Sequence, residues 1–220
     1  MRNTKRMLAA VALYALLLVT GPFVASSHAE PADIKARGGG AVDLAIVGVA
    51  ANTFAELNPK NLSVFTPTNA TFGFQVKGYD TFTLPDGHVM ASSLDGNLEF
   101  QDHNLGLAVH VGGPGTSIDG VSQVGGCVWF WGTARVQQAV NVGGTQLARN
   151  AIVFFLVDAC DLGEPGTSDT FVITLATQPF NGGSMTFSPG VICYRAGLSN
   201  ISTADVIDRG NIQVGQGNEF

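Results

Sequence analysis

Two clusters of side chains in this chain carry groups suited to chemistry. The first is 157–170, reading VDACDLGEPGTSDT, where Asp158, Asp161, Glu164 and Asp169 are set among Gly163, Pro165 and Gly166. Calcium takes about six to eight oxygen ligands, largely carboxylates and loop carbonyls, and a loop of this composition can supply them. The spacing follows neither the EF-hand pattern nor a repeat-type calcium motif. The plainer alternative is that Asp161 and Asp169 accept hydrogen bonds from loop amides while Pro165-Gly166 sets a type II turn. The second cluster is Glu99, Gln101 and His103 at alternate positions of one strand, with His110 on the return strand. A turn near 104–106 would bring His103 and His110 near each other, and two imidazoles beside a carboxylate suit a transition metal such as zinc or copper. A polar strand face joined by cross-strand hydrogen bonds is the competing reading.

Other chemistries find less support. No serine sits in a Gly-x-Ser-x-Gly elbow, and His88, His103 and His110 do not by themselves motivate a triad. A carboxylate pair for glycoside cleavage cannot be singled out among seventeen acids. The glycines at 38–40 and 112–115 lead into no helix, so they read as linkers rather than phosphate cradles. Trp129 and Trp131 share a strand face, where they either pack the core or stack a ligand such as a sugar. Sequons stand at Asn61, Asn69 and Asn200. The balance leans away from an enzyme.

The start of the chain indicates the compartment. Arg2, Lys5 and Arg6 precede an apolar run from Met7 to Val19, then Gly21-Pro22 and the small-residue site Ser27-His28-Ala29. This pattern predicts a secretory signal cleaved after Ala29, too short in its apolar core for a membrane span. Removing it takes three of the eleven basic residues and none of the seventeen acids, leaving eight against seventeen, a net charge of −9. An acidic chain with scattered lysines makes nucleic acid and anionic membranes poor partners. Export permits a disulfide, and three cysteines remain: Cys127, Cys160 and Cys193. One pair with one buried thiol is expected, Cys127–Cys160 being favoured because Cys127 opens a strong strand and Cys160 closes another. Three separate buried thiols are the alternative. No Cys/His spacing suggests structural zinc.

The elements that must position these residues are strands. After the signal no apolar period of about 3.6 residues persists over a helix length. Alternation marks strands at 71–77, 98–103, 107–111, 127–138, 151–158, 171–177 and 209–214, with shorter candidates at 42–49 and 117–123. Gly- and Pro-rich turns fall between them, at Leu84-Pro85-Asp86-Gly87 for example. The 28 glycines and sparse charge suit many tight turns. The expected fold is all-β: a single-domain antiparallel β-sandwich or partly closed β-barrel over 41–215, after a flexible lead at 30–40 and before a tail at 216–220.

Three pieces taken together carry a family resemblance: Gly96-Asn97-Leu98-Glu99-Phe100-Gln101-Asp102-His103, then Asp161-Leu162-Gly163-Glu164-Pro165-Gly166-Thr167-Ser168-Asp169-Thr170-Phe171, then Gly210-Asn211-Ile212-Gln213-Val214. In that order they resemble the post-COAP (type one) domain of bacterial secreted and surface proteins. Phe72-Gly73-Phe74 and Leu107-Ala108-Val109-His110 sit where that family has similar strands, and the likeness runs from about Gly38 to Val214. The segment Phe180–Asp208 is longer than the family's link. The resemblance implies an exported β-rich module, often one domain among others, and transfers no catalytic residue. The expected function is therefore a non-enzymatic module for surface interaction or structure, with an unknown extracellular partner. The alternative is an extracellular ligand- or metal-binding protein, or a hydrolase, using the acidic loop or the Glu99/His103/His110 face.

Overall fold

The alternation that marks the strands also decides what they enclose. Phe72, Phe74 and Val76 are buried on one side of their strand, while Thr71, Gly73 and Gln75 lie on the other, which water reaches. A strand with one apolar face needs a second such face to cover it, and a sheet curled on itself supplies that cover. The structure, a computed structural model, describes residues 33–47, 65–142, 144–164, 166, 168–181, 186–187, 192–198 and 204–216. The expected signal segment, the turn at 58–61, the tail beyond 216 and the sequons at Asn61 and Asn200 lie outside the described residues.

Among the described residues all regular elements are strands: β1 (Ile34–Val47), β2 (Phe65–Thr83), β3 (Val89–Asp102), β4 (Leu107–Val111), β5 (Ser117–Val124), β6 (Cys127–Val136), β7 (Val140–Val142), β8 (Thr145–Leu147), β9 (Ile152–Cys160), β10 (Thr170–Ala176), β11 (Phe180–Asn181), β12 (Thr186–Phe187), β13 (Ile192–Ala196) and β14 (Arg209–Gln216). The pairing runs β1-β2-β3-β4-β6-β9-β10-β13 and returns from β13 to β1, antiparallel throughout. This closed circuit is the barrel end of the range the alternation allows. β5 lies beside β4 in the same gap, pairing with both β3 and β6. β14 pairs with β1 over Ile34–Ala41, and β13 takes the rest of that edge over Ala45–Val47.

Aromatic side chains fill the interior. Phe72 stacks on Phe171 with centroids 3.7 Å apart, Phe74 lies 5.2 Å from Phe130, and Phe130 lies 5.9 Å from Phe155. Small barrels of this kind are closed by their own side chains rather than left hollow. The Cys127–Cys160 disulfide joins directly paired residues of β6 and β9, and Cys193 is a buried free thiol, as expected. A bridge of this sort fits an oxidising compartment.

One expectation is overturned. The segment expected as a flexible lead at 30–40 is ordered strand from Ile34 onward, hydrogen-bonded to β2 on one side and β14 on the other. Its glycines serve clearance rather than flexibility. A Cβ on Gly38 would stand 2.8 Å from Ile212 and 2.9 Å from Phe74, and one on Gly40 would stand 2.3 Å from the Arg209 carbonyl oxygen. Inward glycines make room for the phenylalanine rings opposite, and Ile34 and Ala36 anchor the strand in the core. Strands β2 and β3 are also longer than their alternating cores, because their far ends form a hairpin around the expected turn, where the Gly87 amide donates to the Leu84 carbonyl at 3.0 Å.

Gly40→Ala is expected to lower unfolding free energy by about 1–3 kcal/mol through this backbone contact. Gly73→Ala, whose Cβ would point into open space, should stay within about 0.5 kcal/mol of the parent. Urea unfolding of the two variants checks the contrast; equal losses would show that clearance is not why Gly40 is glycine.

Candidate functional site

The acidic loop connects β9 to β10, and most of its carboxylates are aimed at main-chain amides. Asp169 is fully buried; its Oδ1 accepts from the Leu162 amide at 3.0 Å and its Oδ2 from the Ile212 amide of β14 at 2.7 Å. Asp161 accepts from the Gly163 amide at 3.1 Å, an Asx-turn, and from the Val214 amide at 3.3 Å. Glu164 is exposed and takes the side-chain amides of Asn211 and Gln213, each at 3.2 Å. The Gly166 amide reaches the Gly163 carbonyl at 2.9 Å; the type II turn expected of Pro165-Gly166 rests on Pro165, which lies outside the described residues. Gly166 has φ +85°, and a Cβ there would lie 2.9 Å from the Gly210 carbonyl oxygen, so the loop lies flush against β14.

Asp158 does not join this group. It sits on the outer face of β9 beside Trp129 of β6, its direct cross-strand partner, whose side chain hydrogen-bonds to it. Burial pushes its carboxyl above the usual range, opposed by the Trp129 bond and by the positive charge of Arg195. Burial likewise lowers Arg195 to about 10, and Asp158 offsets part of that. Among the described residues, no three His, Cys, Asp or Glu side chains converge to hold a metal ion.

The second cluster is divided by register. Glu99 and His110 are direct cross-strand partners, with Oε1 3.4 Å from Nδ1. His103 lies in the turn after β3, not on the strand, and its Nε2 is 3.4 Å from Thr71 Oγ1. The hairpin turns through 103–106, so His103 is near the tip while His110 has returned to the level of Glu99. The proximity expected of His103 and His110 is therefore corrected: β4 zips against β3 along its full length and draws them apart.

Around the Glu99–His110 pair the outer face forms a shallow trough. One row of the register runs Asn211, Gly39, Gly73, Glu99, His110 across β14, β1, β2, β3 and β4. Two cavities of about 540 and 650 Å³ lie along it and share Gly73, Glu99 and His110. Arg37, whose Nε donates to Gln213 Oε1 at 2.9 Å, Gln75 and Asn97 line one side; Thr71, Gln101 and Gln137 line the other. Glu164 reaches the same face through Asn211 and Gln213, so the barrel brings an acid of the first cluster beside the second.

Several consequential residues carried little sequence signal. Asp102, placed by alternation opposite to Glu99, is fully buried; it accepts the Tyr194 hydroxyl at 2.8 Å and the amides of Asn104 at 2.9 Å and Leu105 at 3.0 Å. Burial, with the Asp102 charge, holds the Tyr194 phenol well above its ordinary range. Cys193 is pushed up to about 11 by burial, which makes it a core thiol rather than a nucleophile. Trp131 is nearly buried and packs 5.3 Å from Phe180. Comparison with protein-family models, with curated proteins and with solved structures finds no match to this chain.

Asp169→Asn puts an amide donor where two main-chain donors already converge and is expected to destabilise the fold by about 3 kcal/mol. Chemical denaturation reads this directly, and a loss under about 1 kcal/mol would show that the carboxylate is not what holds β14 to the loop. For Asp158 the folded pKa lies above the unfolded value of 3.8, so its contribution is complete below that value and is lost as pH rises through the folded one. The stability of Asp158→Asn relative to the parent should therefore improve between about pH 3.5 and about pH 7. A relative decline across that range would mean that Arg195 and Trp129 outweigh burial.

Proposed function

We propose that this protein is an exported, non-catalytic β-barrel module that acts through its outer surface, as an interaction or structural part at or beyond the cell envelope. One observation carries the reading: the barrel interior is filled by aromatic and aliphatic side chains, while the groups best suited to chemistry are engaged in bonds that shape the fold. A catalytic site in a barrel of this size needs a concavity that admits substrate to a base or nucleophile. The clefts at Glu99 and His110 are open and shallow, and Asp161 and Asp169 give both their oxygens to amides. The signal-like start, the Cys127–Cys160 bridge and the resemblance of the GNLEFQDH, DLGEPGTSDTF and GNIQV stretches to the post-COAP domain support export and surface location.

The test is direct. Purified protein is expected to give no turnover above buffer on fluorogenic ester, glycoside, peptide and phosphate substrates, and the same melting curve in millimolar calcium as in EDTA. Turnover lost in Glu99→Ala or His110→Ala would overturn the non-catalytic reading, and a melting temperature raised by calcium would restore a cation to the acidic loop.

A further inference from the structure

Building on the non-catalytic reading, we infer that the trough across β14, β1, β2, β3 and β4 binds a neutral polysaccharide chain. Two adjoining glycines leave part of its floor bare of side chains, next to the Glu99 and His110 that both cavities share. Gly39 and Gly73 are register partners, both facing outward; a Cβ on Gly73 would meet nothing within 4 Å and one on Gly39 only the Phe72 carbonyl oxygen at 3.4 Å. A flat patch of main chain lets a pyranose ring approach closely. Its sides are rich in carboxamides: Gln75, Asn97 and Gln101 each offer donors and an acceptor, which matches hydroxyls that both donate and accept, while Gln213 is bonded to Arg37 and Glu164. Charges of both signs line it rather than a cluster of one sign: Arg37 is bonded to the Gln213 amide oxygen, and Glu99 lies 3.4 Å from the His110 ring. Arg37 alone among its lining residues is a Lys or Arg, too few to select a polyanion, and the acidic chain as a whole would repel one.

The shape also favours a chain over a single sugar. The two cavities share their middle residues and extend across five neighbouring strands, which at about 4.8 Å per strand gives a trough close to 20 Å long. An extended peptide fits less well. Peptides gain affinity on sheets by adding to a free edge, and β1, β2 and β3 are each paired on both sides here. No apolar socket for a peptide side chain opens between the outward Thr71, Gly73, Gln75, Glu99 and Gln101. Glycine and amides make a weak, hydrogen-bonded contact per sugar, which repeated units on one polymer multiply.

Affinity electrophoresis of the full chain in native gels containing dextran, galactomannan or xyloglucan is the test, with polygalacturonate as the anionic comparison and a fluorescent peptide library as the second arm. At least one neutral polymer is expected to retard the protein. Gly73→Leu, which fills the floor, and the double substitution Asn97→Ala with Gln101→Ala, at exposed positions, should each weaken the retardation at least tenfold with unchanged melting temperature. No retardation by any neutral polymer, retardation indifferent to both variants, or binding confined to polygalacturonate or to peptides would overturn the inference. New reducing ends released from a polymer would instead overturn the non-catalytic reading, so the two failures are distinguishable.

Discussion

The buried Asp169 carboxylate ties β14, which lies outside the closed circuit of strands, to the loop between β9 and β10. β14 bonds to β1 along one edge, and its other edge faces no strand among the described residues. There the amides of Ile212 and Val214 meet the carboxylates of Asp169 and Asp161 in place of a ladder. Asp169 also fixes the Leu162 amide of its own loop, and its main-chain carbonyl takes the Ile207 amide at 2.9 Å. A buried charge shared among main-chain donors is stable only while all of them stay in place, because each would be costly to leave unpaired. The loop, the start of β10 and the last strand are in this way tied to one carboxylate.

The same device recurs at the β3–β4 turn with a different reach. Asp102 caps its own turn through Asn104 and Leu105 and accepts the hydroxyl of Tyr194 from a strand far away in sequence. Asp102 ends β3 and organises the turn that follows, Asp169 stands just before β10 and organises the loop that precedes it, and each locks its loop to a distant element. The outer face of β1 to β4 carries the Glu99–His110 contact, Arg37 bonded to Gln213, and Lys35 beside Lys77 across the strands. Between those charges the face is rich in carboxamides, at Gln75, Asn97 and Gln101.

Much of the architecture is legible from alternation, since residues such as Phe72, Phe74 and Phe130 can only face a core. The boundary at Ile34 is not, because Arg37-Gly38-Gly39-Gly40 carries no apolar alternation. What orders those glycines is the bulk of Phe72, Phe74 and Ile212 on other strands, which local reading does not see. The acids of the loop were identifiable as amide acceptors from their turn context, but not their partners, since Ile212 and Val214 lie about fifty residues downstream. The trough was half visible: Thr71, Gly73 and Gln75 mark a polar face, and Glu99 with Gln101 another. That these faces adjoin each other and Asn211 depends on register between distant strands, and a single-residue slip would turn each to the opposite side. His103 shows the limit within a hairpin, where one residue of turn placement decides whether it stands on the strand or beyond it.

β1 is paired along most of its length to β14 on one side, and Arg37 is bonded to Gln213 across a separation of 176 residues. Contacts so distant in sequence are the last to be rewarded during folding, because the loop they close must be ordered first. The glycine-rich first strand therefore has no complete set of partners until the final strand arrives. A nascent chain lacking β14 would carry an open sheet edge at β1 and bare amides beside the acidic loop. Such a chain remains an unfinished, adhesive intermediate, so completion of this sheet is a late event in the life of the polypeptide.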